Sequence, residues 1–183
     1  YFLALGGDVE VRKEALKVVK GDSMTLSRAG LDALKYIQCP EREIALQTFY
    51  YLWKDNPVIL DTWFALEASI PRQDALTRVQ KILQHPRFDS LAPNSLRALL
   101  GGFSSNTKAF HSVDGSGYIF MADQIVEVDK RNPITASRIV KVFSRWQSYN
   151  EPNKNTIFEI LVKLSKLTLS LNTSEVIQQL LSR

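Results

Sequence analysis

The sequence predicts an all-α fold, an irregular α-superhelix of antiparallel helix pairs of the α-solenoid or armadillo/HEAT-like kind. Apolar residues recur at helical spacing along most of the chain, and alternating strand-like stretches are scarce. Proline, twice directly after Asn, divides the chain into helical segments of about 10 to 17 residues with short connections, which favours stacked antiparallel hairpins. These starts recur irregularly and match no tetratricopeptide or ankyrin consensus, so an irregular array is expected rather than a strict repeat.

Roughly nine helices are predicted. Cys39-Pro40 separates the second from the third, because proline disfavours a helical residue before it yet suits a first turn. The helix from Val58 to Ala68 is apolar around most of its circumference, which predicts a central position. Asn94 is the expected N-cap of another helix. Besides the helix from Val58 to Ala68, one helix is predicted to start near residue 8, and others are predicted near 24–38, 40–55, 72–84, 94–104, 118–130, 133–149, 151–168 and 173–182.

Length and composition limit the class of protein. The chain has 183 residues, of which 45% are apolar, enough for one core, and residues 1–183 are interpreted as a single domain. No apolar run approaches the roughly 20 residues of a membrane span. The start lacks an initiator Met and a signal peptide, which indicates a piece of a longer chain. With one cysteine and no internal disulfide, a cytoplasmic or organellar location is favoured over secretion.

The net charge of +4 permits an acidic partner without requiring one. Basic and acidic residues are interleaved, and no basic block of the kind that binds nucleic acid is present. A nucleic-acid-binding helical array therefore has only the charge in its favour, and no nucleic-acid partner is expected.

No catalytic or metal centre is predicted on this chain. A zinc peptidase needs two histidines four residues apart with a glutamate between them, and only His85 and His111 are present. Both are interpreted as capping or surface residues, and Cys39 as a buried, inert thiol. The turn at Asp114-Gly115-Ser116-Gly117 lacks a phosphate-binding frame.

Two helices carry basic residues with more than one interpretation. One of them is the helix that starts at Pro133. The side opposite its apolar face carries Ile134 and three cations, Arg138, Lys141 and Arg145. A solvated face is the simpler interpretation of this side, and a cavity wall is the alternative. In the helix near Asn94, Gly101-Gly102 lies beside Arg97. Glycine there costs about 1 kcal/mol relative to alanine, which indicates either a tight helix crossing or a ligand site.

Several segments resemble the aminopeptidase N family of zinc gluzincin peptidases, of the bacterial, plant and apicomplexan type. The similar segments occur in the family's order over most of residues 22–150, and the ends match mainly in helical character. They are Met24-Thr25, the run from Trp53 to Leu66, Leu83 to Phe88, Asn94 to Phe103, Ala109 to Tyr118 and Arg131 to Arg138.

The resemblance implies that this chain is the last part of the C-terminal helical domain of an enzyme that removes N-terminal amino acids from peptides. Such a domain closes the active-site chamber over an upstream catalytic domain, which holds one Zn²⁺ through an H-E-x-x-H motif. The upstream domain and short peptide substrates are then the expected partners. The chain itself is expected to lack a catalytic residue, a metal ligand and peptidase activity.

The resemblance also assigns three substrate-binding residues. The motif positions of two chamber-facing arginines correspond to Arg97 and Arg138, and that of the cap over the first side-chain pocket corresponds to Ile134. A branched apolar cap favours apolar first residues. A stand-alone helical scaffold that binds proteins along a groove is the alternative function.

Overall fold

A computed structural model describes residues 7–182, and every regular element within that range is helical. The predicted all-α class is therefore confirmed. The α-helices of the described part are α1 (Val9–Val19), α2 (Met24–Leu34), α3 (Pro40–Trp53), α4 (Pro57–Ser69), α5 (Ala75–Leu83), α6 (Pro93–Ser105), α7 (Thr107–Phe110), α8 (Ser116–Asp129), α9 (Pro133–Val140), α10 (Glu151–Ser165) and α11 (Leu171–Leu181).

Neighbouring helices pack against one another along the chain. The pairs α1 and α2, α3 and α4, α8 and α9, and α10 and α11 are in contact, and α4 also packs along α6. Contacts between α6 and α9 and between α9 and α11 connect successive pairs. This is the irregular helical superhelix that the sequence predicts.

Two hydrophobic clusters form the core, and α4 contributes to both. Leu60 and Phe64 belong to the larger cluster, while Leu66 belongs to the smaller, N-terminal one. Trp63 packs against both clusters, and its indole Nε1 donates a hydrogen bond of 3.1 Å to the carbonyl oxygen of Leu46. The predicted central position of this helix is confirmed.

Proline opens five of the described helices, within the first two positions of α3, α4, α6, α9 and α10. Proline suits this place because its fixed φ is helical and its missing N–H would have no partner there. The prediction of Asn94 as an N-cap is wrong. Ala92 occupies the cap position and Pro93 the first turn, which puts Asn94 inside α6.

The predicted helix at residues 133–149 is wrong in its second half. The α-helix ends at Val140, and 3₁₀ turns follow at Lys141–Phe143 and Trp146–Ser148. Val140, Phe143 and Trp146 are all buried and lie three residues apart. A spacing of three matches the 3₁₀ period, so tightening the helix keeps these side chains in the core.

A buried carboxylate fixes the last helix. Asp129, at the end of α8, accepts hydrogen bonds from the backbone N–H of Ser170 at 2.8 Å and from the hydroxyls of Ser170 and Thr173. Ser170 is the N-cap of α11, so a charge on α8 supports the first turn of α11. Burial raises the pKa of Asp129, but these donors outweigh burial and hold the pKa below its ordinary value.

The Asp129→Asn substitution should destabilise the domain by about 2 kcal/mol at pH 7, because an amide cannot accept all three bonds and loses the charge. Since the folded-state pKa is lowered, the contribution is present above the unfolded-state pKa and is lost as pH falls through the folded-state value. Urea unfolding measured from pH 7 to pH 3 should show the two proteins converging. Asp123→Asn, an exposed change on the same helix, is the control; a constant difference across pH would contradict this assignment.

Candidate functional site

Arg97 lies one turn into α6 with its side chain exposed. Its Nε donates to the carbonyl oxygen of Pro93 at 3.2 Å, and its terminal nitrogen donates to Oδ1 of Asn94 at 2.5 Å. Within residues 7–182 it forms no ion pair with a carboxylate. The guanidinium is therefore oriented by its own helix while its charge stays unpaired.

Ile134 and Arg138 share the exposed face of α9. Four residues separate them, which places both on one side of the helix. The side chain of Ile134 is 57% exposed, whereas Ala136 and Ile139 are buried on the opposite side. The predicted division of this helix into an apolar and a basic face is confirmed, and Arg138 has no hydrogen-bond or ionic partner among the residues that the structure describes.

A groove of about 330 Å³ lies beside Arg97, between α2, α4 and α6. Arg28 and Asp32 line it from α2, and Lys35 lines it from the residue after that helix. Arg138 does not line this groove. The structure thus places Arg97 in one groove with Arg28 of α2 and Lys35 after it, and places Arg138 on the neighbouring helix α9.

The two glycines of α6 differ in their surroundings. A Cβ added to Gly102 would lie 2.5 Å from the carbonyl oxygen of Ala65, so this glycine permits the close crossing of α4 and α6. A Cβ added to Gly101 would meet no atom within 4 Å, and Gly101 lines the groove. The tight crossing is therefore correct for Gly102 and explains nothing at Gly101.

Both histidines are more enclosed than predicted. Nδ1 of His111 is 2.5 Å from the hydroxyl of Tyr118, and the His111 ring packs on Tyr149 with centroids 4.6 Å apart. Burial lowers the pKa of His111 and raises the pKa of Tyr118 to about 12. His85 packs against three aromatic rings, and burial followed by the charge of Arg87 lowers its pKa.

Both histidines, which are half-buried, thus also pack in aromatic clusters, a contact that the interpretation as capping or surface residues did not include. Each also has a capping role, as predicted. Nδ1 of His85 accepts from the backbone N–H of Arg87 at 3.1 Å, and the backbone N–H of His111 closes the short helix α7. Cys39 is 5% exposed in the smaller core cluster, which confirms the buried thiol.

A family model described as a domain of unknown function (DUF3458_C) with ARM repeats matches residues 1–182. The chain belongs to this family. The match covers all of the elements described above, including the helices that carry Arg97 and Arg138, and it confirms the armadillo-like fold of this DUF3458_C domain.

Proteins similar to the DUF3458_C domain include several aminopeptidases. Aminopeptidase N of Escherichia coli (strain K12) is 34% identical over 171 residues, which are 91% of this chain and 19% of that protein. Aminopeptidase N of Caulobacter vibrioides is 45% identical over 109 residues, 59% of this chain and 13% of that protein. A crystal structure of Legionella pneumophila aminopeptidase A in complex with aspartic acid has a TM-score of 0.86 at 30% identity, covering 93% of this chain and 20% of that one.

These similarities confirm the resemblance to the C-terminal helical domain of aminopeptidase N. The DUF3458_C domain spans about a fifth or less of the length of the relatives it matches. Within residues 7–182, no three His, Cys, Asp or Glu side chains are grouped so that they could hold a metal ion. None of the described helices is both long and apolar enough to cross a bilayer.

An ionic network near the end of α4 was not expected from the sequence. Arg72 donates to both carboxylate oxygens of Glu43 at 3.0 and 3.1 Å and to Glu67 at 3.1 Å, while Arg42 also pairs with Glu43. Burial raises the pKa of Glu67, with the charge of Arg72 opposing it. The Arg72 side chain is only 7% exposed, and both its terminal nitrogens are occupied, so the network connects α3 to α4.

Substituting each glycine of α6 with alanine should have opposite effects. Gly101→Ala should stabilise the domain by about 0.5 to 1 kcal/mol, because its methyl group enters open space and restricts the unfolded chain. Gly102→Ala should destabilise it by at least about 1 to 3 kcal/mol, because the methyl group meets the backbone of α4. Chemical unfolding of the matched pair measures both; the same sign for both would contradict the distinction.

Proposed function

We propose that this domain is part of a longer aminopeptidase polypeptide and closes the chamber in which that enzyme removes N-terminal amino acids from peptides. The main support for this proposal is the similarity of nearly the whole chain to a short section of aminopeptidase N. If the remaining four fifths of such a polypeptide hold the catalytic residues, the helical array supplies a wall. As a single domain, residues 1–183 would form the C-terminal portion of the helical region.

Zinc belongs to the upstream catalytic domain in this proposal. The described residues of the present domain do not fit a zinc site, because they offer no group of suitable ligands. The domain therefore contributes substrate contacts and chamber shape, and by itself has no peptidase activity. Partners are the upstream domain of the same polypeptide and short peptides.

Arg97 and Arg138 are the proposed substrate-binding cations. A guanidinium stays charged at every physiological pH and can hold a carboxylate or a carbonyl through two parallel hydrogen bonds. Both side chains are exposed, and neither pairs with a carboxylate within residues 7–182. Exposed arginines that the fold leaves unpaired can bind the peptide behind its first residue.

Ile134 is the proposed cap of the pocket for the first side chain. It is exposed on the same face of α9 as Arg138, one helical turn earlier. Its side chain has no hydrogen-bonding group, so an apolar first residue is favoured there while a polar one finds no partner. The same face of α9 would then contact both the first side chain and the peptide backbone.

Arg138→Ala in the full-length polypeptide should lower kcat/KM for tripeptides and longer peptides. The expected loss corresponds to about 1 to 3 kcal/mol of transition-state stabilisation, the usual value of a charge-assisted hydrogen bond. Hydrolysis of alanine peptides measures this, and the 183-residue chain alone should give none. Arg131→Ala removes an exposed arginine just before α9 that has no assigned role, and provides the control. Equal efficiencies for the Arg138 variant and the parent enzyme would exclude this role.

Ile134→Gln should shift the preference for the first residue from apolar towards polar side chains. The expected change in the ratio of kcat/KM between leucyl and glutaminyl substrates is about tenfold, since a new hydrogen bond to glutamine and weaker apolar packing against leucine together amount to roughly 1.4 kcal/mol. Aminoacyl fluorogenic amides report this ratio. Ile134→Val retains the apolar cap and is the matched control; a ratio that stays constant in the glutamine variant would contradict the assignment.

A further inference from the structure

The groove between α2, α4 and α6 is lined by three cations, none of which forms a buried ion pair within residues 7–182. Arg28, Asp32 and Lys35 occupy positions i, i+4 and i+7, which lie on one helical face. Nε of Arg28 is 3.6 Å from Oδ2 of Asp32, and both side chains are 51% exposed. A pair so open to water contributes little to stability, so Arg28 can bind another anion. Lys35 lies over the Tyr36 ring, 5.1 Å from its centroid, and forms no ion pair within residues 7–182.

The groove combines three cations with one carboxylate. Arg97 lines the groove from α6, and Arg28 and Lys35 line it from the other side, so the cavity has a positive excess. Like charges that share one groove repel one another. An anion in the groove would relieve this repulsion.

At Gly101 no side chain separates the groove from the backbone of α6. Gly101 lies in the interior of α6, where glycine costs about 1 kcal/mol relative to alanine, yet no atom lies where its side chain would be. Ala65 and Ala98 add further small side chains to the lining. A ligand can thus approach the helix backbone closely, as an extended peptide requires.

We propose that this groove binds the C-terminal carboxylate of a peptide substrate, through Arg28 and Lys35 together with Arg97. The proposal rests on the proposed function and extends it from the first residues of the peptide to its end. The enzyme would then prefer short peptides with a free carboxylate over the same peptides as amides.

The test compares alanine peptides of about three to six residues, each as a free acid and as a C-terminal amide, with the full-length polypeptide. The measured quantity is the ratio of kcat/KM for acid over amide at each length. In the variant Arg28→Gln/Lys35→Gln, the ratio at the preferred length should fall about fivefold, the range of an exposed ion pair. In the parent enzyme it should also fall at high salt, because ions screen the groove.

Two further variants separate charge from shape. Lys81→Gln removes an exposed lysine of α5 outside the groove and should leave the ratio unchanged. Gly101→Leu fills the groove without changing charge and should reduce kcat/KM for long peptides more than for short ones, whereas Gly101→Ala should have a smaller effect. Circular dichroism checks that each variant is folded.

The outcomes distinguish the two proposals. A ratio that is the same in the double variant and the parent enzyme at every length would overturn the carboxylate groove, even if Arg138→Ala impairs hydrolysis as expected. If the double variant instead lowers the melting temperature and leaves the ratio unchanged, the two cations act in stability through their contacts with Asp32 and Tyr36, and the proposal is wrong. If the full-length protein hydrolyses no peptide, the proposed function is rejected, and the groove proposal that rests on it is rejected with it.

Discussion

The close crossing of α4 and α6 determines where the candidate site lies. At Gly102 the two backbones approach so closely that a side chain on α6 would overlap Ala65. The buried side-chain nitrogen of Asn106 then donates to the carbonyl oxygens of Ala68 and Ile70, at 3.2 and 2.7 Å, which satisfies the end of α4. The crossing and this cap fix the C-terminal half of α6 against α4, and Arg97 lines the groove that α6 forms with Arg28 and Lys35.

Local signals predicted most of the fold. Proline after a capping residue located the starts of α3, α4 and α9. Predicted and observed helices differ mainly where a tertiary contact overrides the local pattern. At residues 141–148 the burial of Phe143 and Trp146 selects 3₁₀ turns, and the Nε1 hydrogen bond from Trp146 to the carbonyl oxygen of Leu180 depends on a helix far along the chain. Periodicity within one helix contains no information on that partner.

The candidate site was predictable in part. The exposed face of α9 follows directly from helical geometry, which is why Ile134 and Arg138 were placed correctly on that face. Their roles with substrate stay predictions. At Gly101-Gly102 the sequence allowed two explanations, and only the position of α4 shows that each glycine has a different one. Arg28 and Lys35 were not singled out from the sequence, because their spacing contains no information that they line a groove shared with α6.

Proline at the helix starts has a consequence for tolerance to insertions. A helix that begins at proline is hindered from extending backwards, so a longer preceding loop does not rotate the residues that follow. Arg97 comes four residues after Pro93, and Arg138 comes five residues after Pro133. The helix face on which each arginine lies is thus set by the start of its own helix. The connecting loops can therefore change length without moving either guanidinium to another face of its helix.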